Sequence, residues 1–362
     1  MAVTQRQIAE LADVSVNTVS LVLRHVPDRI VSSATRQRIL DIAKELGYRP
    51  NPHARALVGA KAPLIRIVCR PWDLYISNVK GASLVSAFDN LGRELSVCNV
   101  DTAQDLEHIV DALLWGSPEA VVFQIPWRDE DLLVPIFQAL HDEGTHAVLA
   151  DCSQLPPANV PCDAVSLDRL GGAMVAMNHL IELGHRHIGL VIGRGYQSRR
   201  KAYELVLAQH GIAERFIAEI GRAPSVGDSD CYQAAVALGG AQATERLLKD
   251  NPSVTALMCE SDIAALGAMR AVHQLGLRVP EDVALIGFHN EPWTQFLPVP
   301  LSTMAEPVNE MCELSRRFLA QRLDGDTGPW QRAKVSYELI VRESSGPPLD
   351  GGKSIKATSA RP

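Results

Sequence analysis

Apolar side chains recur at helical spacing in three short runs within the first fifty residues. Thr4 and Ser15 stand at the N-cap positions of the first two runs, Gln5–Ala12 and Val16–Leu23. A hydroxyl at such a position accepts a hydrogen bond from a backbone N–H group of the first turn. The third run, Ser33–Leu46, stops at a glycine, a residue that commonly follows a helix end. The pattern predicts three short helices with these inward-facing side chains: Ile8, Leu11, Val19, Val22, Leu23, Ile39, Ile42, Ala43 and Leu46.

Only Asp13 and Val14 separate the first predicted helix from the cap of the second. Two helices joined by so short a turn cross steeply, and in a helix-turn-helix unit the second helix presents its N-terminal side chains to the major groove of DNA. An asparagine can pair with adenine, an apolar side chain can cover a thymine methyl group, and capping hydroxyls can hold phosphates. The candidate DNA contacts are Thr4, Ser15, Val16, Asn17, Thr18, Ser20 and Leu21. A plain three-helix bundle with a polar surface fits the same pattern.

From Pro63 onward, apolar strand-like runs alternate with helical stretches of ten to fifteen residues. This alternation predicts parallel, doubly wound sheets, and two successive series predict two lobes with a ligand cleft between them. The predicted strands are Leu64–Cys69, Glu94–Val100, Ala120–Ile125, Ala147–Ala150, Ala164–Leu167, His187–Ile192, Ile217–Ile220, Ala256–Cys259, Ala284–Phe288 and a closing strand Val335–Arg342. The predicted helices are Val79–Leu91, Gln104–Trp115, Glu130–Glu143, Leu170–Leu183, Arg199–His210, Tyr232–Lys249 and Asp262–Leu275.

Composition and charge narrow the class of protein. Hydrophobic residues make up 46% and charged residues 21% of the 362-residue chain, which excludes a disordered or collagen-like protein. The net charge of −7 argues against a nucleic-acid partner, but residues 1–60 carry eight Lys and Arg against five Asp and Glu. The head is therefore at +3 and the remainder at −10, which indicates that only the N-terminal end meets an anion.

Other features set the expected compartment and chemistry. The chain has no membrane-length apolar run and no N-terminal pattern of a secretory signal, so we expect a cytoplasmic protein without a membrane partner. The seven cysteines have no metal-ligand or disulfide spacing, which predicts reduced thiols and no metal site. A nucleophile elbow, an HExxH pair and a P-loop are absent from the sequence. We therefore expect no enzymatic activity and no cofactor.

The N-terminal segment closely resembles the DNA-binding head of the lactose-repressor (LacI/GalR) family. The matching motifs are VSVNTVSLVL, ELGYRPN and the hinge segment ARAL, all at the extreme N-terminus. The body is similar to the same family through HLIELGHRHIGLV, PSVTALMCESDIAALGAMRAV, LGLRVPEDVALIGF, PLST and YELIVRES, in order along the chain. The resemblance covers residues 3–345 and implies a periplasmic-binding-protein-like body, giving an α/β fold of a three-helix head and two doubly wound lobes.

The resemblance also implies domain boundaries. Residues 1–49 would form the helix-turn-helix domain and residues 50–61 a hinge, in which Pro50 and Pro52 stop the third helix. Residues 62–343 would form the two-lobed effector-binding and dimerisation domain, and residues 344–362 a disordered tail. Lobe 1 is expected over 62–163 and 306–328, and lobe 2 over 164–305 and 329–343.

In the hinge, the resemblance implies DNA contacts from Asn51, Ala54, Arg55 and Leu57. Leu57 would be wedged into the minor groove by both subunits, which kinks the duplex. Two departures from the family pattern stand out. Leu21 replaces an arginine of most relatives, which predicts the loss of a guanine contact, and the loop 25–31 lacks the usual Asn-Gly.

The effector contacts implied by the resemblance are Trp72, Asp73, Tyr75, Asp168, Arg199, Ser261, Asp262 and His289. The alternative for Arg199 is a solvated residue of a first helical turn, and the alternative for Asp262 is a plain helix N-cap. His289 stands where most relatives have an aspartate. Because an imidazole titrates near neutral pH, we expect a pH-dependent ligand contact there unless the position has drifted out of use.

Together these observations predict a sequence-specific DNA-binding transcriptional regulator, a repressor in the simplest version. It would bind a palindromic operator as a homodimer or tetramer and respond to a small polar effector, a sugar or sugar derivative, in the interlobe cleft. Two alternatives stay open: a global regulator controlled mainly by a partner protein, and a solute-binding protein with a vestigial head. Disrupted spacing of the head motifs would favour the solute-binding alternative. The head motifs are intact, which argues against it.

Overall fold

The computed structural model describes residues 4–23, 31–46, 61–69, 75–100, 109–114, 117–124, 133–193, 195–221 and 232–346. The chain divides into two compact units between Ala62 and Pro63. Several predicted features lie outside the described residues. They are the hinge contacts Asn51, Ala54, Arg55 and Leu57, residues 25–30 of the loop that differs from the family pattern, the cleft residues Trp72 and Asp73, and tail residues 347–362.

Three helices form the N-terminal unit: α1 (Gln5–Ala12), α2 (Val16–Leu23) and α3 (Ser33–Glu45). Their shared core consists of Ile8, Ala9, Ala12, Val19, Val22, Ile39 and Ala43. The prediction that Leu11 points inward is wrong, because its side chain is 62% exposed. Each residue turns a helix by about 100°, so the face formed by Ile8, Ala9 and Ala12 leaves Leu11 about 60° outside it.

The body contains two six-stranded sheets, and a helix lies between most pairs of consecutive strands. Its strands are β1 (Ala62–Cys69), β2 (Glu94–Asn99), β3 (Pro118–Gln124), β4 (His146–Cys152), β5 (Asp163–Leu167), β6 (Ile188–Ile192), β7 (Phe216–Glu219), β8 (Ala256–Cys259), β9 (Ala284–Phe288), β10 (Ser302–Ala305), β11 (Arg332–Val335) and β12 (Glu338–Ile340). Its helices are α4 (Tyr75–Asp89), α5 (Ile109–Leu114), α6 (Leu133–Asp142), α7 (Arg169–Glu182), α8 (Gln197–Gln209), α9 (Tyr232–Asp250), α10 (Asp262–Gln274) and α11 (Val308–Leu323). Short 3₁₀ turns cover Pro292–Phe296 and Glu343–Ser345.

The sheets have strand orders β2-β1-β3-β4-β5-β11 and β7-β6-β8-β9-β10-β12. The pairs β1–β2, β3–β4, β4–β5 and β5–β11 run parallel, and so do β6–β7, β6–β8, β8–β9 and β9–β10. Strand β12 pairs antiparallel with β10 at the edge of the second sheet. Strands buried on both faces explain the nearly continuous apolar runs in the sequence. The predicted two-lobed α/β architecture is confirmed.

The chain passes between the two sheets after β5, after β10 and after β11. The predicted lobe boundaries at 163/164 and 328/329 therefore need correction, since β5 and β11 pair with each other in the first sheet. The predicted closing strand Val335–Arg342 is also wrong, because the chain changes sheets within it. It is two short strands in different sheets, and Tyr337 lies in the crossing between them.

The predicted disordered tail begins too early. Ser344 and Ser345 are buried in the second lobe, where Ser344 Oγ donates to the carbonyl of Leu285 at 2.7 Å and accepts from the backbone N–H of Ser302 at 2.8 Å. Ser345 Oγ lies 2.8 Å from Ser302 Oγ. These hydrogen bonds fasten the last described turn to β9 and β10. Within the described ranges, no helix is long and apolar enough to cross a bilayer.

Candidate nucleic-acid interface and interlobe site

Side-chain caps fix the two helices of the predicted helix-turn-helix. Thr4 and Gln7 form a capping box at α1: the Gln7 backbone N–H donates to Thr4 Oγ1 at 3.4 Å, and the Thr4 backbone N–H donates to Gln7 Oε1 at 2.8 Å. At α2, the Thr18 backbone N–H donates to Ser15 Oγ at 3.0 Å. Asp13, in the left-handed region at φ 49°, ends α1 and allows the sharp turn into α2.

The start of α2 presents its first side chains to solvent. Val16 is 45% exposed and Asn17 is exposed, whereas Val19 and Val22 are buried against α1 and α3. Thr18, Ser20 and Leu21 are half-buried at the margin of this surface. An exposed amide and an apolar side chain on a capped helix end have the chemistry that base-edge recognition requires.

In the body, each chain crossing between the sheets carries a polar side chain into one cluster. Arg169 follows β5, Glu306 follows β10, and Tyr337 follows β11. All are buried or half-buried, and the charges of Glu306, Arg169, Arg199 and Asp151 all act on the Tyr337 hydroxyl. Burial raises the pKa of that hydroxyl well above its ordinary value, and Tyr337 Oη has no hydrogen-bond partner within the described ranges.

Lys80, on α4 of the first lobe, is the centre of the ion pairs in this cluster. Its Nζ lies 3.0 Å from Asp151 Oδ2 and 2.5 Å from Glu306 Oε2, and Arg169 pairs with the other oxygen of Asp151. Burial disfavours the ammonium charge, but Asp151 and Glu306 outweigh it and raise the pKa of Lys80. Burial likewise opposes the Glu306 charge, yet Lys80, His289 and Arg169 hold the pKa of Glu306 far below its usual value. These four side chains therefore form a neutral, mutually compensated group.

Arg199, in the first turn of α8, extends the cluster into the second lobe. The side chain is buried at 6% exposure, and its guanidinium lies over the rings of Tyr196 and Phe288 at 4.4 and 4.2 Å. Its hydrogen-bond contact within the described ranges is to His289 Nε2 at 3.4 Å, and its Nε has no partner. The solvated-surface alternative for Arg199 is therefore wrong.

His289 directly follows β9 and has a positive φ of 103°. Its Nε2 lies 3.6 Å from Glu306 Oε1 in addition to the Arg199 contact. Burial lowers the pKa of His289 to about 3, and Arg199 and Lys80 add to that effect against the opposing charge of Glu306. Burial therefore favours the neutral ring at neutral pH, and the pH-dependent ligand contact expected at His289 stays a prediction.

The neighbouring residues Ser261 and Asp262 have structural partners. The Ala264 backbone N–H donates to Ser261 Oγ, so Ser261 and not Asp262 caps α10. The Asp262 carboxylate, with no exposed area, accepts from Thr303 Oγ1 at 2.6 Å and from the Glu291 backbone N–H at 2.8 Å. Burial raises the pKa of Asp262 to about 7. This carboxylate fastens β10 and the turn after β9, both of which flank His289.

Two further predicted cleft residues lie at element starts. Asp168 caps α7 through a hydrogen bond from the Gly171 backbone N–H at 2.9 Å, and Lys334 pairs with the same carboxylate at 2.9 Å. Tyr75 is the first residue of α4, five positions before Lys80, and is half-buried. Neither residue makes a described contact with the cluster around Lys80.

Sequence reasoning missed Lys80, Asp151 and Glu306. Lys80 is the single cation of α4, and Asp151 lies within β4, directly after the buried apolar residues 147–150. An isolated charge in such a context is seldom buried without a partner, so each position carried a usable signal. Glu306 gave no comparable signal, because it lies in a crossing between two lobes.

Known proteins resemble both units. Residues 4–51 match the family described as bacterial regulatory proteins, lacI family, and residues 177–345 match the periplasmic binding protein-like domain. The transcriptional regulator DegA of Bacillus subtilis is 26% identical, over 96% of this chain and 99% of its own. The transcriptional repressor CytR of Escherichia coli is 28% identical, over 95% of this chain and 96% of its own. A crystal structure of the lac repressor dimer bound to operator and the anti-inducer ONPF superposes with a TM-score of 0.77 at 24% identity, over 96% of this chain and 100% of that one.

A helix-turn-helix unit followed by a two-lobed periplasmic-binding-protein-like body defines a DNA-binding transcriptional regulator. The N-terminal unit matches the lacI family of bacterial regulatory proteins, and the whole chain is similar to the transcriptional regulators DegA and CytR. The resemblance identified from its motifs is thereby confirmed.

Proposed function

We propose that this regulator binds a palindromic DNA operator as a homodimer and represses transcription, rather than acting as a catalyst. The observation that carries the proposal is the capped start of α2, where Val16 and Asn17 are exposed while the opposite side of the helix is buried. A single unit of this size contacts a short half-site, and two-fold related copies read an inverted repeat. The relative CytR is a transcriptional repressor, and the similar lac repressor structure is a dimer on operator.

We further propose that a small polar effector binds between the lobes and changes operator affinity. The supporting feature is the buried cluster around Lys80, Arg199 and His289, which draws side chains from both lobes and from all three crossings. A ligand that contacts groups in both lobes has different affinities for open and closed arrangements, which is the requirement for shifting a conformational equilibrium. Such sites lie at the carboxyl ends of strands in doubly wound sheets.

Sequencing the genomic fragments that the purified full-length protein retains tests the operator proposal. We expect the retained fragments to share an inverted repeat whose two halves are about one helical turn apart. Fragments without a common sequence, or a shared sequence without two-fold symmetry, would contradict it.

A further inference from the structure

Side chains from the two lobes meet directly where the chain crosses between them. Lys80 lies on α4 of the first lobe, and Glu306 lies in the crossing that follows β10 of the second lobe. Lys80 Nζ is 2.5 Å from Glu306 Oε2, and the other carboxylate oxygen of Glu306 is 3.6 Å from Nε2 of His289, which follows β9 of the second lobe. The three side chains are at most 6% exposed, so the carboxylate lies between one group of each lobe and away from water.

A second ion pair joins the lobes at another crossing. Arg169 is the first residue of α7 in the second lobe, and its Nη2 pairs with Oδ1 of Asp151 on β4 of the first lobe. Arg169 Nη1 also donates to the Cys152 carbonyl at 3.0 Å. Lys80 Nζ lies 3.0 Å from Asp151 Oδ2, which connects the two ion pairs. Lys80, Asp151, Arg169 and Glu306 are hereafter the interlobe ion network.

The interlobe ion network fits one relative arrangement of the lobes. Lys80 contacts both carboxylates at once, although Asp151 belongs to a strand of the first lobe and Glu306 to a crossing. A rotation of one lobe against the other would lengthen the contact of Glu306 with Lys80 or its contact with His289. A buried polar network whose charges are paired specifies a single arrangement, and separating a buried pair leaves each charge without its partner.

The same distances determine how a ligand can act at this place. A separation of 2.5–3.0 Å leaves no space for another atom between Lys80 and its two carboxylates. A polar ligand group that binds Lys80 or Glu306 therefore replaces an internal partner and favours the arrangement in which that ion pair is broken. A ligand shifts a conformational equilibrium only through such a difference in affinity between the two arrangements.

We propose that the interlobe ion network by itself holds the two lobes in the operator-binding arrangement, and that the effector weakens operator binding by breaking the Lys80–Glu306 pair. This inference rests on the proposed operator and effector functions. It adds the direction of control: the effector releases the regulator from DNA, and operator binding needs no small molecule.

The first test uses the wild-type protein freed of small molecules. The full-length protein is unfolded in urea, dialysed and refolded, and its affinity for the recovered operator is compared with that of the protein as purified. We expect equal affinities, because the network consists only of side chains of this chain. Operator binding that returns only after the small-molecule fraction of the host cells is added back would overturn the proposal.

The second test uses the double variant Lys80→Met with Glu306→Gln. This variant removes one charge of each sign and leaves Asp151 paired with Arg169, so the buried charges stay balanced. We expect faster backbone hydrogen exchange in the crossings around Glu306 and Tyr337, because lobes that separate more often expose them. Operator affinity should fall about tenfold or more, within the usual range of coupling between two sites, while affinity for a scrambled duplex is unchanged. Unchanged exchange in the crossings or unchanged operator affinity would overturn the proposal.

The matched control is Lys249→Met with Glu245→Gln, which makes the same two substitutions in an exposed ion pair on α9. It should change neither the hydrogen exchange of the crossings nor the operator affinity, and an equal loss in this control would contradict the assignment to the interlobe ion network. Circular dichroism checks that both double variants are folded. If the Lys80 variant does not fold, the comparison of refolded and purified wild type decides the proposal.

This inference and the proposed function fail in different ways. Operator binding that requires added small molecules would refute only this inference. No operator binding by the folded protein, with or without the small-molecule fraction, would refute the proposed function.

Discussion

Lys80 lies buried between two carboxylates, and its replacement tests whether the interlobe cluster is mutually compensated. Lys80→Met removes the cation and leaves Asp151 and Glu306 with less compensation in a buried site. Breaking a buried ion pair by removing one partner costs about 3–5 kcal/mol, and we expect a loss of that order in the free energy of unfolding by urea. The double variant Lys80→Met with Glu306→Gln should recover part of the loss.

Lys249 provides the matched control for that prediction. Its Nζ pairs with Glu245 at 2.6 Å on the exposed surface of α9. Exposed pairs contribute about 0–1 kcal/mol, so Lys249→Met should scarcely change stability. Equal losses in the two lysine variants would contradict the assignment of Lys80 to a buried ion cluster.

The neutral ring of His289 predicts a pH dependence of stability. Its pKa falls from 6.5 to about 3 on folding because burial disfavours the charged ring. The unfolded chain then binds a proton that the folded chain does not, so the stabilising contribution is full above pH 6.5 and is lost as the pH falls toward 3. We expect urea unfolding at pH 7 and pH 5 to show a smaller pH difference in His289→Asn than in the wild type.

A second buried histidine, His185, also makes stability fall as the pH falls, so it must be present in both proteins that are compared. Burial lowers the pKa of His185 to about 4, and its Nδ1 lies 2.9 Å from Thr255 Oγ1. The comparison therefore keeps His185 in both proteins. An NMR titration of the His289 ring with a midpoint near 6.5 in the folded protein would contradict the prediction.

Asn17 is the residue on which we expect base selectivity to depend most. The side chain is exposed at the start of α2 and makes no described contact with the helical core. A two-pronged pair with adenine discriminates by about 1–3 kcal/mol, so Asn17→Ala should lose that preference at one position of each half-site while the unfolding midpoint stays unchanged. Affinities measured on operators mutated base by base check this, with Gln37→Ala on α3 as the control. An unaltered base preference would exclude Asn17 from the interface.

At the scale of elements, the cap of α2 determines whether the recognition surface is ordered. Ser15→Ala removes the acceptor for the Thr18 backbone N–H and should cost about 1 kcal/mol of stability in the N-terminal unit. Ser33→Ala, beside the true cap Ser32 of α3, is the control and should be nearly neutral. Thermal unfolding followed by circular dichroism measures both. Equal effects of the two serine variants would show that the Ser15 cap contributes nothing specific.

The helices of the N-terminal unit could be predicted from sequence because their determinants are local. Thr4 and Ser15 cap the helices that the pattern assigned to them, and α2 has its predicted bounds. The inward face of α1 was harder to predict, since the small residues Ala9 and Ala12 pack closely and displace Leu11 from the core. Ser261 illustrates the same limit, because two adjacent capping residues compete and only the backbone geometry decides between them.

The exchange between the two sheets could not be predicted from sequence. Val335–Arg342 looks like one strand, yet β11 pairs with β5 and β12 pairs with β10. The β11–β5 pair joins residues more than 150 positions apart along the chain, and the β12–β10 pair joins residues more than 30 apart. Local propensity encodes neither pairing. The interlobe cluster was only partly predicted for that reason, since Glu306 and Tyr337 enter it through the crossings.

At the scale of the whole molecule, the uneven charge agrees with a division of roles. The first 60 residues carry a balance of +3 and the rest −10, so attraction to phosphates is concentrated in the unit that contains α2. The remainder of the chain is acidic and carries the buried cluster. The total of −7 would by itself have suggested the wrong class of partner, because it averages two units of opposite sign.

The most direct test of the central claim, sequence-specific DNA recognition by this chain, is the affinity of the full-length protein for its recovered operator and for a scrambled duplex across a range of salt concentrations. We predict that the operator binds about 10³-fold or more tightly than the scrambled duplex at physiological salt, with affinity for both falling steeply as salt rises. Equal affinities for the two duplexes, or affinities independent of salt, would contradict the account.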